Sequence, residues 1–134
     1  MKKHFLILIL LIGVSQYISA QYCGLSGPAV CTPDTTVTEP GIWPKYDSIP
    51  SLINGTQADI TLQLKNFSQF TFGGQVVTVT SLKIDTISNL PHWTCWATNA
   101  ANNTFTTGQN GCIKISGPVC AEPGQYKLYI FLTP

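Results

Sequence analysis

Asp59-Ile60-Thr61-Leu62-Gln63-Leu64 alternates polar and apolar side chains at every step. Successive side chains of an extended chain point to opposite faces, so Ile60, Leu62 and Leu64 share a dry face while Thr61 and Gln63 meet water. A half-buried β-strand is the expectation. Downstream, Asn66 to Phe72 alternates more loosely, with polar residues around Phe70 and Phe72, before Gly73-Gly74 turns the chain. Gln75 to Ile87 reads as one long strand. Val77 and Val79 fall on one parity and Leu82 and Ile84 on the other, so a bulge or bend near Ser81 is expected to flip the faces. Asn89-Leu90-Pro91 ends that strand, and Trp93-Thr94-Cys95-Trp96 predicts a short return strand.

Between Ala97 and Gly111 lies a polar loop rich in Asn, Thr and Gly, with Phe105 as its one large apolar residue. Such a loop is where a small domain carries variable, binding-competent surface. Ile113 and Ile115 then alternate with Lys114 and Ser116, Gly117-Pro118 closes the segment, and Pro123-Gly124 introduces a last strand. In it Tyr126, Leu128, Ile130 and Leu132 share one face, while Lys127, Tyr129 and Phe131 share a half-aromatic face expected to pack on a neighbour. No mature segment has helical periodicity with caps. The pattern predicts an all-β chain, an immunoglobulin-like antiparallel β-sandwich of six to seven strands.

Upstream of Pro50 the reading changes. Pro28, Pro33, Pro40, Pro44 and Pro50 interrupt residues 21–50, which read as an extended, Pro-rich N-terminal arm beside a sandwich over 51–134. Residues 1–20 read as a secretory signal peptide: Lys2, Lys3 and His4, an apolar run from Phe5 to Val14, then Ile18-Ser19-Ala20 before Gln21. That apolar run is about half the ~20 residues a spanning helix needs, so no membrane insertion is expected after cleavage.

Removing 20 of the 134 residues leaves 114, enough for one core. Of the seven basic residues Lys2 and Lys3 leave with the leader, so five lysines face six acids and the net charge falls to about −1. A nucleic-acid binder needs a cationic surplus to displace counterions, so no nucleic-acid partner is expected.

Cys23, Cys31, Cys95, Cys112 and Cys120 suit an oxidising compartment. Their number is odd. Cys23 with Cys31 as a short clip, and Cys95 with Cys112 around the polar loop, is the favoured pairing; Cys112 with Cys120 is its rival, and sequence does not choose among them. No Cys-x-x-Cys pair accompanies His92, the one mature histidine, and no two acids lie within three residues of each other. Neither zinc nor calcium is expected, and no cofactor.

Pro40-Gly41-Ile42-Trp43-Pro44 with Asp47-Ser48, Leu90-Pro91-x-Trp93-Thr94-Cys95, Gly111-Cys112-Ile113-x-Ile115-Ser116-Gly117 and Gly124-x-Tyr126-x-Leu128 together resemble a cysteine-containing Ig-like domain. That domain occurs in secreted bacterial proteins, often ones with a type IX secretion sorting domain. The resemblance covers nearly all of the mature chain. It implies a β-sandwich, an exported or cell-surface setting, and no established catalytic residues. Tyr126 resembles a tyrosine corner. The chain departs from the pattern at Leu90-Pro91-His92-Trp93, where a Leu-Pro-Pro-Gly corner is usual, at the shortened turn Gly117-Pro118, at the unexpected Cys120, and in a frequent extra cysteine missing between the two cysteine motifs. A sorting domain is also missing from the sequence, so the periplasm stands beside secretion and the cell surface as an expected destination, as does a chain that is a fragment of a longer one.

Catalysis has little to build on. A nucleophile needs an adjacent base, and a Cys95–His92 dyad disappears if Cys95 is bridged. The six carboxylates are scattered rather than paired. The expected role is therefore a non-enzymatic structural or adhesion module with a protein or glycan partner. The alternative is a lectin-like protein using Trp96 with Asn102 and Asn103 of the loop. On a strand positions 93 and 96 have opposite parity, and the expectation is Trp93 inside and Trp96 partly out. Asp34-Thr35-Thr36, Asp47-Ser48-Ile49 and Asp85-Thr86-Ile87 resemble bacterial O-glycosylation acceptors, which makes Thr35, Ser48 and Thr86 candidate modification sites.

Overall fold

The computed structural model describes residues 21–134, so the leader lies outside the described residues. The alternating segment forms β3 (Gln57–Lys65), whose even-numbered residues are buried from end to end. It pairs over its whole length with antiparallel β9 (Asn110–Pro118), from Gln57 opposite Pro118 to Lys65 opposite Asn110. This pair is the spine of a five-stranded sheet. Beyond β9 lies β7 (Cys95–Thr98) and then β1 (Gln21–Tyr22), while β2 (Gly41–Trp43) covers the other side of β3. All pairs are antiparallel except β1 with β7.

The second layer is a three-stranded antiparallel sheet of β10 (Tyr129–Thr133), β6 (Ser81–Ser88) and β8 (Thr104–Thr106), with β6 in the middle. Ile60, Leu62, Leu64, Trp96, Ile113 and Ile115 of the first sheet meet Ile84, Ile87 and Phe105 of the second in one apolar cluster. The chain is an all-β two-layer sandwich. At about 1.5–3 kcal/mol per buried large side chain, this cluster is the main favourable term in folding. The polar loop is more ordered than its composition suggests. It contains the end of β7, a 3-10 turn over Ala101–Asn103 and β8, and Phe105 is fully buried as the plug between layers. Gly111 makes room for it, since a Cβ there would overlap the Phe105 ring.

Several expectations need correction. Gln75 to Ile87 is two strands, β5 (Gln75–Thr78) and β6, separated where Val79 turns inward and its N–H donates to the Ser68 carbonyl at 3.0 Å. The expected bend near Ser81 is present at Thr80, and it switches the buried parity from Val79 to Leu82. A separate bulge lies at Asp85, where Phe131 pairs with Thr86 and Leu132 with Ile84, which leaves Asp85 unpaired and lets Ile87 face the same core as Ile84. The two tryptophans are reversed. Trp93 has φ of 69° and is 63% exposed, whereas Trp96 is 2% exposed. The strand begins at Cys95, after a turn closed by the Thr94 hydroxyl and N–H on the Pro91 carbonyl, so parity counted from Trp93 does not apply. Tyr129 and Phe131, expected to pack on a neighbour, are each about half exposed.

Residues 21–50, read as an arm, supply both edge strands of the large sheet. The disulfides explain how. Cys23 is bridged to Cys95 and Cys31 to Cys112, not Cys23 to Cys31 and Cys95 to Cys112. Sequence proximity favours the short clip, but β1 carries Cys23 alongside β7, where the Cα atoms of Cys23 and Cys95 are 5.2 Å apart. Cys120 is free and exposed. Past Cys31, the Gln63 side chain accepts from the Asp34 N–H at 2.8 Å, and the Asn110 amide donates to the Asp34 and Val37 carbonyls, both at 2.8 Å.

Candidate functional site

Between the two layers the chain makes an excursion. Asn66, buried, is its anchor: its N–H donates to Gln109 and its side-chain amide to the Phe105 and Thr106 carbonyls. The chain then forms a separate hairpin of β4 (Gln69–Phe72) and β5, turned at Gly73 and Gly74 with φ of 57° and 81°. Positive φ at both central positions is the geometry glycine supplies cheaply in a two-residue hairpin turn. Every residue of both strands is exposed, and among the described residues neither outer edge is paired. The register puts Phe70, Phe72, Gln75 and Val77 on one face and Gln69, Thr71, Val76 and Thr78 on the other. Phe72 is 76% exposed.

No charge occurs from Asn66 to Leu82. Proteins normally blunt an open strand edge with lysine, proline or a bulge, because its unpaired N–H and C=O groups template pairing with another chain. This hairpin has none of these within its strands. A second apolar area lies on β10, where Tyr129, Phe131 and Leu132 are exposed and the Lys127 ammonium lies 5.9 Å from the Tyr129 ring centre. Both areas offer apolar and main-chain contacts to a partner; the sequence marks the half-aromatic face of β10 but not the hairpin. The charge-free run was the available signal; strand alternation masked it by implying burial.

The sequence-derived candidates fall elsewhere. Trp96 is packed at 5.2 Å against the Tyr22 ring with its indole N–H buried and unpartnered, so it presents no face to a glycan. Asn103 is committed internally, its side-chain oxygen accepting from Ser26 at 2.5 Å and from Thr98 at 3.0 Å. Asn102 is exposed. The three do not form a joint binding surface. Of the candidate acceptors, Thr35 and Ser48 are exposed, whereas Thr86 is half-buried within β6 opposite Phe131.

The polar groups converge instead at the Leu90–Trp93 corner. An open cleft of about 380 Å³ is lined by Asn54, Asn89, His92, Cys120, Glu122 and Tyr126. Its framework groups are already engaged: Asn54 accepts from the Ala121 N–H, Asn89 donates to the Lys127 carbonyl, and the Tyr126 hydroxyl donates to the Glu122 carbonyl at 2.7 Å. That last bond, four residues upstream, has the form of a tyrosine corner. His92 stacks edge-on against exposed Trp93 at 4.6 Å, and its carbonyl accepts from the Cys120 N–H. Cys95, the other half of a hypothetical dyad with His92, is disulfide-bonded and has no thiolate to offer. Among the described residues no group of three His, Cys, Asp or Glu side chains could hold a metal, and no helix is long and apolar enough to cross a membrane. Two disulfides fit an oxidising environment. No family model, curated protein or solved structure matches the chain.

Proposed function

We propose that this chain is a non-enzymatic, exported Ig-like module of bacterial type that works by contact, with the β4–β5 hairpin as its principal binding element. The observation that supports this reading is the uncharged hairpin, apolar on one face and open at both edges. Its affinity would come from main-chain pairing along an edge and its selectivity from pockets for Phe70, Phe72 and Val77, the mode known as strand addition. The partner is another extracytoplasmic protein presenting an apolar strand edge, at the cell surface, in the medium or in the periplasm. The leader pattern, the two bridges and the resemblance around Cys95 and Cys112 support the location.

Binding of the labelled mature protein to isolated cell envelopes tests this. Phe72→Asp combined with Val76→Lys places charge on both hairpin faces without touching the core. It is expected to lower retention at least tenfold with an unchanged circular dichroism spectrum; equal retention of variant and wild type overturns the reading.

A further inference from the structure

We propose that Gln21 is a modification site: after cleavage behind Ala20, its new α-amine closes onto its own side-chain amide and the mature chain begins with a pyroglutamyl lactam. This inference rests on the export reading above. Three observations meet at this residue. Gln21 directly follows Ile18-Ser19-Ala20 at the end of the leader pattern. It is also the first residue of β1, opposite Cys95 in a parallel register. Two positions on, the Cys23 N–H donates to the Trp96 carbonyl at 2.9 Å and the Cys23 sulfur is bridged to Cys95. The mature terminus therefore lies within a sheet ladder and not on a free tail.

A ladder position takes one N–H and one C=O from a neutral amide. Cleavage would instead place an ammonium there, a strongly hydrated charge that favours fraying of a strand only two residues long. Glutamine can remove that charge by itself. The α-nitrogen attacks the side-chain amide carbon, a new N–C bond forms, the bond from that carbon to the amide nitrogen breaks, and the departing nitrogen takes a proton from the amine to leave as ammonia. No oxidant or co-reactant is required. The reacting groups are held in one residue and close a five-membered ring, so the step has the advantage of an intramolecular reaction. The product is again a neutral amide with a single N–H on the α-nitrogen, and it gives aminopeptidases no free amine. Trimming of Gln21 and Tyr22 would bring such an enzyme to Cys23 and its bridge.

The test is peptide mass spectrometry of the chain recovered after export from its full-length precursor in a bacterial host. The expected N-terminal peptide begins at residue 21, is one ammonia lighter than the linear peptide, resists amine-reactive labelling, and yields Tyr22 as its first residue after pyroglutamyl peptidase treatment. A peptide beginning at Gln21 with a labelled amine overturns the cyclisation and leaves the export reading standing. A chain retaining residues before Gln21 overturns both. Gln21→Ala is expected to give a fully labelled terminus; a blocked terminus in that variant would show a different modification and also overturn the proposal.

Discussion

Residues 21–50 and residues 66–82 invert what their compositions suggest. The first stretch is polar and broken by prolines, yet it is fastened to the large sheet at both edges by two disulfides and by the amides of Gln63 and Asn110. The second is uncharged and strand-like, yet its hairpin stands outside both layers with every strand residue exposed. Composition governs local conformation in each case: proline keeps one chain irregular and alternation keeps the other extended. Attachment is a separate property. It depends on whether a sulfur, an amide or a facing layer waits at the right place, and those groups are far away in sequence.

The sharpest way to break this contrast is to unfasten the first region. Replacing Cys31 and Cys112 together by Ala removes a bridge between positions 81 residues apart. By chain entropy a loop of that size is worth about 4.5 kcal/mol, and loss of a native bridge from a small secreted domain costs roughly 2–5 kcal/mol. Urea unfolding should show a free energy of unfolding lower by that amount, seen as a lower midpoint. A midpoint unchanged within error would mean that the Cys23–Cys95 bridge and the polar bonds hold residues 21–50 without the second bridge.

The same measurement on the hairpin should give almost nothing. Phe72→Ser deletes a large ring, but the ring is three-quarters exposed, so stability should change by no more than about 0.5 kcal/mol. Phe105 is the useful counterpart. Removing a fully buried phenylalanine ring typically costs about 3–5 kcal/mol. A Phe72 variant that destabilised the isolated chain by more than 1 kcal/mol would show the hairpin packed on the sandwich in solution.

These two phenylalanines also show how far the sequence could be read. Phe70 and Phe72 alternate loosely among polar residues and are exposed, while Phe105 looks like the lone apolar residue of a loop and is buried between the layers. The strands β3 and β9 were legible because alternation continues without interruption for several residues and each strand has a layer over it. Bridge pairing was not legible, since it depends on β1 lying parallel to β7, a pairing between residues more than 70 positions apart. The tryptophan assignment failed for a local reason. Counting parity from Trp93 assumed a continuous strand, and the turn before Cys95, with Trp93 at positive φ, resets the count. Gly117 is part of the same arrangement: at φ of 119°, a Cβ there would lie 2.6 Å from the Trp93 carbonyl oxygen.

The smallest effect concerns the turn that follows Cys31, and it asks whether polar bonds order this region independently of sulfur. The Asp34 carboxylate accepts from the Thr36 hydroxyl at 2.6 Å and from the Thr36 N–H at 2.8 Å, and these bonds, the hydroxyl first, hold its pKa below the ordinary carboxylate value. A folded-state pKa below the unfolded one contributes stability that is present above the unfolded value and is lost as pH falls through the folded value. Because Asp34 is fully exposed, the contribution is small. The titration midpoint itself is the better observable. Followed by NMR, it should move upward in Thr36→Ala, partway toward the ordinary value, since the backbone N–H remains. If the midpoint also stays low in a chain lacking the Cys31–Cys112 bridge, the turn is built by its own side chains and the sulfur only fixes where it docks. If it rises to the ordinary value there, the bridge orders the turn as well, and sulfur is the reason this polar segment belongs to the sandwich.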